Sequence, residues 1–378
     1  MMASSVSDRQ AGPGTQADPV LTPVVFSTDG VEARHQRDHW IGTYDSFNRL
    51  ELLDGAGEGF TARNEVWSLG DIAVMRNLGP AVAFERTGRH IRRDSLDHWV
   101  IRVTQSGEAQ HRVGDRCLRA PPQVPLLFSL GEPYCGERSR ADWVSLYVPR
   151  DRFPELSSGL AQLGAGAIDS VGGRLLADYI FSLRRRLPEI RASELTTVAQ
   201  ATRSMIAACL LTAVRPAAAA SAGAGLAQFE LVRRIIRRNI ASPTLGPAKI
   251  CQLAGMSRSQ LYRLFEPHGG VAHYVQRVRL QMAHAMLSDQ ALAHQPIAAT
   301  AERAGLYDAS AFSRAFRREF GYAPREARAM AIGGVPGRGR GRQGEARMQA
   351  ADFSGLLRQV GAFRDAARAS APTPDGAA

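Results

Sequence analysis

The side chains with the most evident chemistry are arginines and hydroxyls set at helical spacing near the C-terminus. Ser259, Tyr262 and Arg263 share the polar stripe of one short segment, and Ser310, Ser313, Arg314 and Arg317 share that of another. The opposite stripes are apolar: Leu261, Leu264 and Phe265 stand at i, i+3, i+4, as do Phe312, Ala315 and Phe316. A guanidinium can fork onto O6 and N7 of guanine in the major groove, and hydroxyls bond to base edges. Helices presenting these groups from their first turns suit the major groove, and Arg263 and Arg314, at equivalent places on the two stripes, can each reach a base edge. Arg317 and Arg318 lie about one turn beyond Arg314, where a helix inserted by its N-terminal end has begun to leave the groove. They are assigned to phosphate, together with Arg258 and Arg277.

The two segments repeat one layout. Leu253-Ala254-Gly255-Met256-Ser257 leads into Arg258 to Phe265, and Arg303-Ala304-Gly305-Leu306-Tyr307-Asp308 leads into Ala309 to Phe316. Each reads as a short helix, a glycine turn, a capping Ser257 or Asp308, and a second helix, with one extra residue in the second turn. This is the pattern of two helix-turn-helix units. Between them Val271, Tyr274, Val275, Val278, Met282 and Met286 form one face of a long helix ending near Leu287. Such a helix would set the spacing of the two units, and successive major grooves on one face of DNA are roughly 34 Å apart.

Other chemistries find less support. A cupin-type metal enzyme needs a His-x-His pair with a carboxylate and a third histidine. His90, His98 and His111 are dispersed, so neither a metal nor a cofactor is expected. Cys117, Cys135, Cys209 and Cys251 contain no C-x-x-C pair, which argues against a disulfide framework or a zinc site and leaves buried free thiols. The alternatives to a DNA-binding regulator are a metal-dependent cupin enzyme and a protein-interaction adaptor with secondary DNA binding.

Charge agrees with DNA. The chain of 378 residues carries a net +11, and Ala227 to Met330 alone holds 15 Arg and Lys against 7 Asp and Glu. Lys249 is the one lysine, so the charge is almost wholly guanidinium. No apolar run is long enough to span a membrane, and Met1 to Val20 has neither a basic n-region nor an apolar h-region. A cytoplasmic location is expected.

The length suggests two domains. Residues 1–20 read as disordered. From about Val24 to Phe153 short apolar runs alternate with Gly, Pro and Asp, as in His98 to Val103 and Trp143 to Val148, which points to an antiparallel sandwich or barrel. Val171 to Leu187 and Ser193 to Val214 read as helices, and their faces (Leu175, Leu176, Tyr179, Ile180, Leu183; Leu195, Val198, Met205, Ile206, Cys209) are expected to form a homodimer contact. The expected division is a sensory domain over 21–155, dimerising helices over 156–215, a linker over 216–225, a DNA-binding domain over 226–330, and a mostly disordered Gly/Arg/Ala-rich tail over 331–378.

Residues Ile250 to Arg328 resemble the AraC/XylS DNA-binding domain. The resemblance is carried by Leu253-Ala254-x-Met256-Ser257-x-Ser259-x-Leu261-x-Arg263-Leu264-Phe265, by Arg279-Leu280-x-x-Ala283-x-x-x-Leu287, and by Ala304-Gly305-Leu306 with Phe312-Ser313-Arg314-Ala315-Phe316-Arg317-Arg318-x-Phe320-Gly321-Tyr322-x-Pro324. Glu266-Pro267-His268-Gly269-Gly270 departs from the family's basic, Pro-free helix end, and Ala311 replaces a larger residue. The N-terminal half is similar, less specifically, to the cupin-like domain of such regulators through His98 to Val103, Gly114-Asp115 and Val144 to Phe153.

The fold class implied is α+β: an N-terminal cupin-like antiparallel β-barrel with following helices, then an all-α domain of seven helices containing both helix-turn-helix units. The resemblance implies a sequence-specific regulator, an activator rather than a repressor, with double-stranded DNA, RNA polymerase and a small-molecule effector as partners. The resemblance also implies the base readers: the family's base contacts map by position onto Ser259, Tyr262, Arg263, Ser310, Ser313 and Arg314.

Overall fold

The structure is a computed structural model and describes residues 18–53, 59–94, 96–150, 153–211, 222–289, 292–333, 353–354 and 356–357. Its N-terminal half runs β1 (Val24–Ser27), α1 (Ala33–Tyr44), β2 (Arg49–Leu52), β3 (Arg63–Leu69), β4 (Ile72–Gly79), β5 (Val82–Arg86), α2 (Gly88–Arg93), β6 (His98–Ser106), β7 (Ala109–Val113), β8 (Arg116–Arg119), β9 (Leu126–Ser129), β10 (Tyr134–Arg138), β11 (Ala141–Pro149), α3 (Pro154–Leu163), β12 (Gly166–Ala167), α4 (Val171–Arg186) and α5 (Leu195–Leu211). The C-terminal half is α6 (Ala222–Arg238), α7 (Pro247–Ala254), α8 (Arg258–Phe265), α9 (Val271–Leu287), α10 (Ile297–Arg303), α11 (Ala309–Phe320) and α12 (Pro324–Gly333). The β-rich half followed by an all-α half is the expected class, and seven α-helices make up the second half among the described residues.

The strands do not close into the expected barrel. They form a seven-stranded sheet, β1-β3-β4-β11-β6-β9-β12, and a separate five-stranded sheet, β2-β5-β10-β7-β8. The pairings described are antiparallel, and no hydrogen-bonded strand pair joins the two sheets among the described residues. Period-2 alternation fixes which side chains share a face but not whether a sheet meets itself.

Both faces of the larger sheet are covered at its centre, which explains why β4, β9 and β11 are buried along almost their whole length. In β6, Trp99, Ile101 and Val103 face one way and join Val144, Leu146 and Val148 of β11 beneath α3, α4 and α5. The alternate residues, Val100 of β6 and Tyr147 of β11, face the smaller sheet with Phe84, Phe128 and Tyr134. Helix α1, lying within the stretch read as strands, lays Trp40 and Tyr44 over this second core.

Covering the sheet uses the surfaces expected to pair two copies. Leu176, Ile180, Leu183, Ile206 and Cys209 are buried in the core between the sheet and α4 and α5, with Tyr179, Leu195, Val198 and Met205 packed at its edge. Only Leu175 of the named residues is well exposed, beside Val171. The two helices approach closely because Gly172 has no side chain: a Cβ there would lie 2.4 Å from the Cys209 carbonyl oxygen. Amphipathicity reports a face that must be covered, not what covers it. Cys209 is buried as expected, whereas Cys117 is exposed.

Residues 222–225 of the expected linker open α6, and its earlier residues lie outside the described ones. Most of the two terminal stretches read as disordered also lies outside them. Four described residues of the C-terminal tail belong to the N-terminal half. Phe353 and Leu357 are buried there, Phe353 against Phe47, Tyr44 and Tyr147 with ring centroids 4.9, 5.6 and 5.8 Å away. Ser354 donates to Asp94 at 2.8 Å and meets Ser46 at 3.0 Å. Full burial of such an aromatic is worth about 1.5–3 kcal/mol.

The halves meet through a buried ion network. Asp97, just before β6, pairs with Arg150 at 3.2 Å, with Arg237 at 3.0 Å and with Arg233. Arg150 also pairs with Glu230 of α6, and Glu230 with Arg233 at 2.9 Å. The Arg150 guanidinium lies 3.8 Å from the centroid of the Trp99 ring, so the network rests directly on the sheet core.

Candidate nucleic-acid interface

The first unit is built by its caps. Gly255 closes α7 in the left-handed region with φ 63°, where a side chain would strain the turn. Ser257 then caps α8, accepting from the Gln260 backbone while the Gln260 side chain accepts from the Ser257 backbone. Leu261 and Phe265 are fully buried and Leu264 partly so, and they pack with Ile250, Val271 and Tyr274. That leaves Arg258, Ser259, Tyr262 and Arg263 exposed.

The second unit repeats the construction. Gly305 takes φ 77° in a buried turn, where an added Cβ would lie 2.6 Å from the Ile240 carbonyl oxygen. Asp308 caps α11 by accepting from the Ala311 backbone at 2.8 Å. Phe312, Ala315, Phe316 and Phe320 are buried, and Ser310, Ser313, Arg314, Arg317 and Arg318 are exposed.

Among the described residues, the guanidiniums of Arg258, Arg263, Arg314, Arg317 and Arg318 form no ion pair or side-chain hydrogen bond, so these cations are presented to solvent rather than used to hold the fold. Arg277 differs. It is half-buried and lies 5.2 Å from the Tyr274 ring centroid. Ser313 donates its hydroxyl back to the Ala309 carbonyl at 2.9 Å, leaving its oxygen as an acceptor. Ser259 and Ser257 hydroxyls lie 3.0 Å apart.

The departing segment after α8 has a structural reason. Glu266–His268 makes one 3₁₀ turn, and Gly269 and Gly270 follow with φ 78° and 91°, a path that folds the chain straight into α9. His268 stacks on Phe229 at 4.3 Å; burial first, then Arg277 and Arg233, hold its imidazole below the ordinary range. Helix α8 is consequently 8 residues long, against 12 for α11.

Helix α9 joins the units. Its 17 residues span about 25 Å, with Val271, Tyr274 and Val275 in the first core and Leu280, Ala283 and Leu287 in the second. Two braces absent from the sequence reading stiffen the pair. Arg279 donates to the carbonyls of Ile240 at 3.1 Å and Ser242 at 2.7 Å, and Tyr307 donates to Ala241 at 2.9 Å. One loop after α6 is thus tied to the shared helix and to the second turn at once. The signal available was the arginine opening the Arg279-Leu280 motif; nothing local marked Tyr307.

The AraC-like transcriptional activator CuxR, known from a crystal structure, is 30% identical to this chain, matches 69% of it and 95% of its own length, and superposes with a TM-score of 0.51. The chain belongs to the AraC/XylS family. Residues 250–330 match the family profile described as a helix-turn-helix domain, and 39–211 match that described as an AraC-binding-like domain. Transcriptional activator NphR of Rhodococcus sp is 24% identical over 269 residues, 68% of this chain and 77% of NphR. Probable transcriptional regulator LumQ of Photobacterium leiognathi is 33% identical over 82 residues, 21% of this chain and 32% of LumQ. This AraC/XylS member is therefore a DNA-binding transcriptional regulator with an N-terminal effector-type domain.

In this family member the dispersed histidines serve separate places. His90 lies in the first turn of α2 and accepts from the backbone of its cap Thr87, His98 opens β6, and His111 lies in the sheet interior against Arg102. Among the described residues no three His, Cys, Asp or Glu side chains come together as a metal site. No described helix is long and apolar enough to cross a membrane.

Proposed function

We propose that the protein activates transcription by docking α8 and α11 into successive major grooves. Ser259, Tyr262, Arg263, Ser310, Ser313 and Arg314 meet base edges, and Arg258, Arg277, Arg317 and Arg318 meet phosphate. The observation that carries this is the pair of capped helices, braced to one another, each presenting arginine that has no ion pair or side-chain hydrogen bond among the described residues. Activation follows the names of CuxR and NphR, and we take RNA polymerase to be the protein partner that an activator engages. A cytoplasmic site of action follows from that role.

The N-terminal half receives the effector, and the ion network on Asp97 passes its state to α6. A homodimer, if formed by α4, uses Val171 and Leu175, because the rest of the apolar face is covered. Light scattering of the parent against Leu175→Glu tests that surface.

The test of the whole reading is titration of the full-length protein against duplex from its own promoter region and against a scrambled duplex, at several salt concentrations. Specific binding should exceed nonspecific binding, and both should weaken steeply with salt as condensed counterions are displaced. Equal affinity for both duplexes would reject sequence reading; no binding at low salt would reject the interface.

A further inference from the structure

Four arginines lie inside or beneath the sandwich, and two of them lack what the others have. Arg86, fully buried, donates to the carbonyls of Leu130 and Phe47 at 2.9 and 2.6 Å and pairs with Asp94 at 3.4 Å. Arg150 has Asp97 and Glu230. Arg102 of β6 and Arg138 of β10 enter the interior from opposite sheets, and neither meets a carboxylate among the described residues. Among the described residues Arg102 is bonded to neutral groups, Ser145 Oγ at 3.2 Å, His111 Nε2 at 3.1 Å and the Tyr147 hydroxyl. Arg138 is 8% exposed and makes no side-chain hydrogen bond among the described residues, its Nε being buried without an acceptor.

The surroundings are aromatic. Both guanidiniums face Trp143, at 5.3 Å for Arg102 and 4.4 Å for Arg138, with Phe128 5.1 Å from Arg102 and Phe84 5.7 Å from Arg138. Burial first, then Arg102 and Arg138, hold the His111 imidazole well below its ordinary range. Neutral His111 accepts from Arg102 at Nε2 and so carries its proton on Nδ1, which is buried without an acceptor, as is the Trp143 indole nitrogen. Among the described residues the interior thus gathers two positive charges without a carboxylate and three unanswered N–H donors. Leaving such groups unpaired is costly, and folds retain the cost where a ligand completes the set.

We propose that the interior between the two sheets binds a small organic carboxylate with a planar apolar body, the carboxylate between Arg102 and Arg138 and the body against Phe84, Phe128 and Trp143. Guanidinium forks match a carboxylate in shape and charge. A polyphosphate would press its remaining charges onto the aromatic walls. The proposal rests on the reading of this half as the effector domain and names the effector's class.

The experiment uses the full-length protein, with benzoate and phenylacetate as probes, benzamide and phenylacetamide as uncharged counterparts, and inorganic phosphate. Melting temperature and tryptophan emission are read for the parent, Arg138→Met and Arg138→Lys. The acids should raise the melting temperature in a saturable way and the amides should bind about tenfold more weakly. Arg138→Met should abolish the acid response, Arg138→Lys should keep part of it, and Arg138→Met without ligand should melt no lower than the parent. The proposal is overturned if acids and amides act alike, if no acid acts on the parent, if the response survives Arg138→Met, or if that variant alone is strongly destabilised. Phosphate acting as well as benzoate would reject the apolar body. DNA affinity is measured on the same samples: acid binding that leaves it unchanged upholds the site and rejects its role as effector site, and absence of DNA binding rejects the regulator reading while leaving the site intact.

Discussion

Replacing Asp97 with Asn tests whether the ion network holds the two halves together. The Asp97 side chain is 9% exposed and faces Arg150, Arg233 and Arg237, so its loss removes one carboxylate from three guanidiniums, Arg150 keeping Glu230 and the half-exposed Glu132 and Arg233 keeping Glu230. Breaking a buried pair by removing one partner costs about 3–5 kcal/mol, and Asn, which keeps a hydrogen-bonding oxygen, belongs at the lower end. Arg237 is 25% exposed and its pair with Asp97 is partly screened, so Arg237→Gln should cost no more than about 1 kcal/mol. For a cooperative unit of this size about 3 kcal/mol corresponds to a melting shift of about 6–12 °C. Urea and thermal unfolding followed by tryptophan emission suit the question, because Trp99 lies under Arg150 and senses the network directly. Asp97→Asn unfolding together with the parent, or Arg237→Gln costing as much as Asp97→Asn, would refute the reasoning.

In the DNA interface, Arg263→Ala or Arg314→Ala should each lose about 1–3 kcal/mol on the specific duplex and little on a scrambled one, whereas Arg317→Ala or Arg318→Ala should weaken both and make the salt slope shallower by about one. Paired titrations decide it; an Arg314 variant losing equally on both duplexes makes α11 a backbone clamp. Gly305→Ala places a Cβ 2.6 Å from the Ile240 carbonyl at a positive φ, so it should destabilise the second unit by about 1–3 kcal/mol and reduce DNA affinity; an unchanged urea midpoint would contradict the brace. His111 binds a proton less readily folded than unfolded, so the unfolded chain takes up protons first as pH falls. Stability should then drop by up to about 1.4 kcal/mol per pH unit below the unfolded value of 6.5, down to the lower folded pKa, and His111→Gln should flatten that dependence. A pH series of urea midpoints for both proteins measures it.

What the sequence disclosed was local. Ser257, Asp308, Gly255 and Gly305 act within a few residues of themselves, so both helix-turn-helix units and their exposed stripes could be read directly. The long helix α9 was legible for the same reason. Contacts between distant segments carry no such signature: Asp97 and Arg233 are ordinary charged residues until the fold brings them together. Arg102 alternated with apolar residues as a solvent-facing position would, and only the second sheet, bringing Arg138, turns that face inward. The apolar stripes of α4 and α5 signalled a need for cover that a partner or the chain's own sheet could meet equally well.

Phe353 rests on Tyr44 and Tyr147, and both hydroxyls lie within the electrostatic reach of Arg102. A molecule entering between the sheets and shifting either ring would work against the seated tail. The two occupancies then share a coupling free energy, and linkage makes it act equally in both directions. Whatever draws Phe353 and Leu357 away, whether a partner or a truncation, must change affinity for the interior by the same factor by which the interior's occupant changes the hold on these two side chains. Ligand affinities of the full chain and of one ending before Phe353 are therefore different constants, and their ratio measures the coupling.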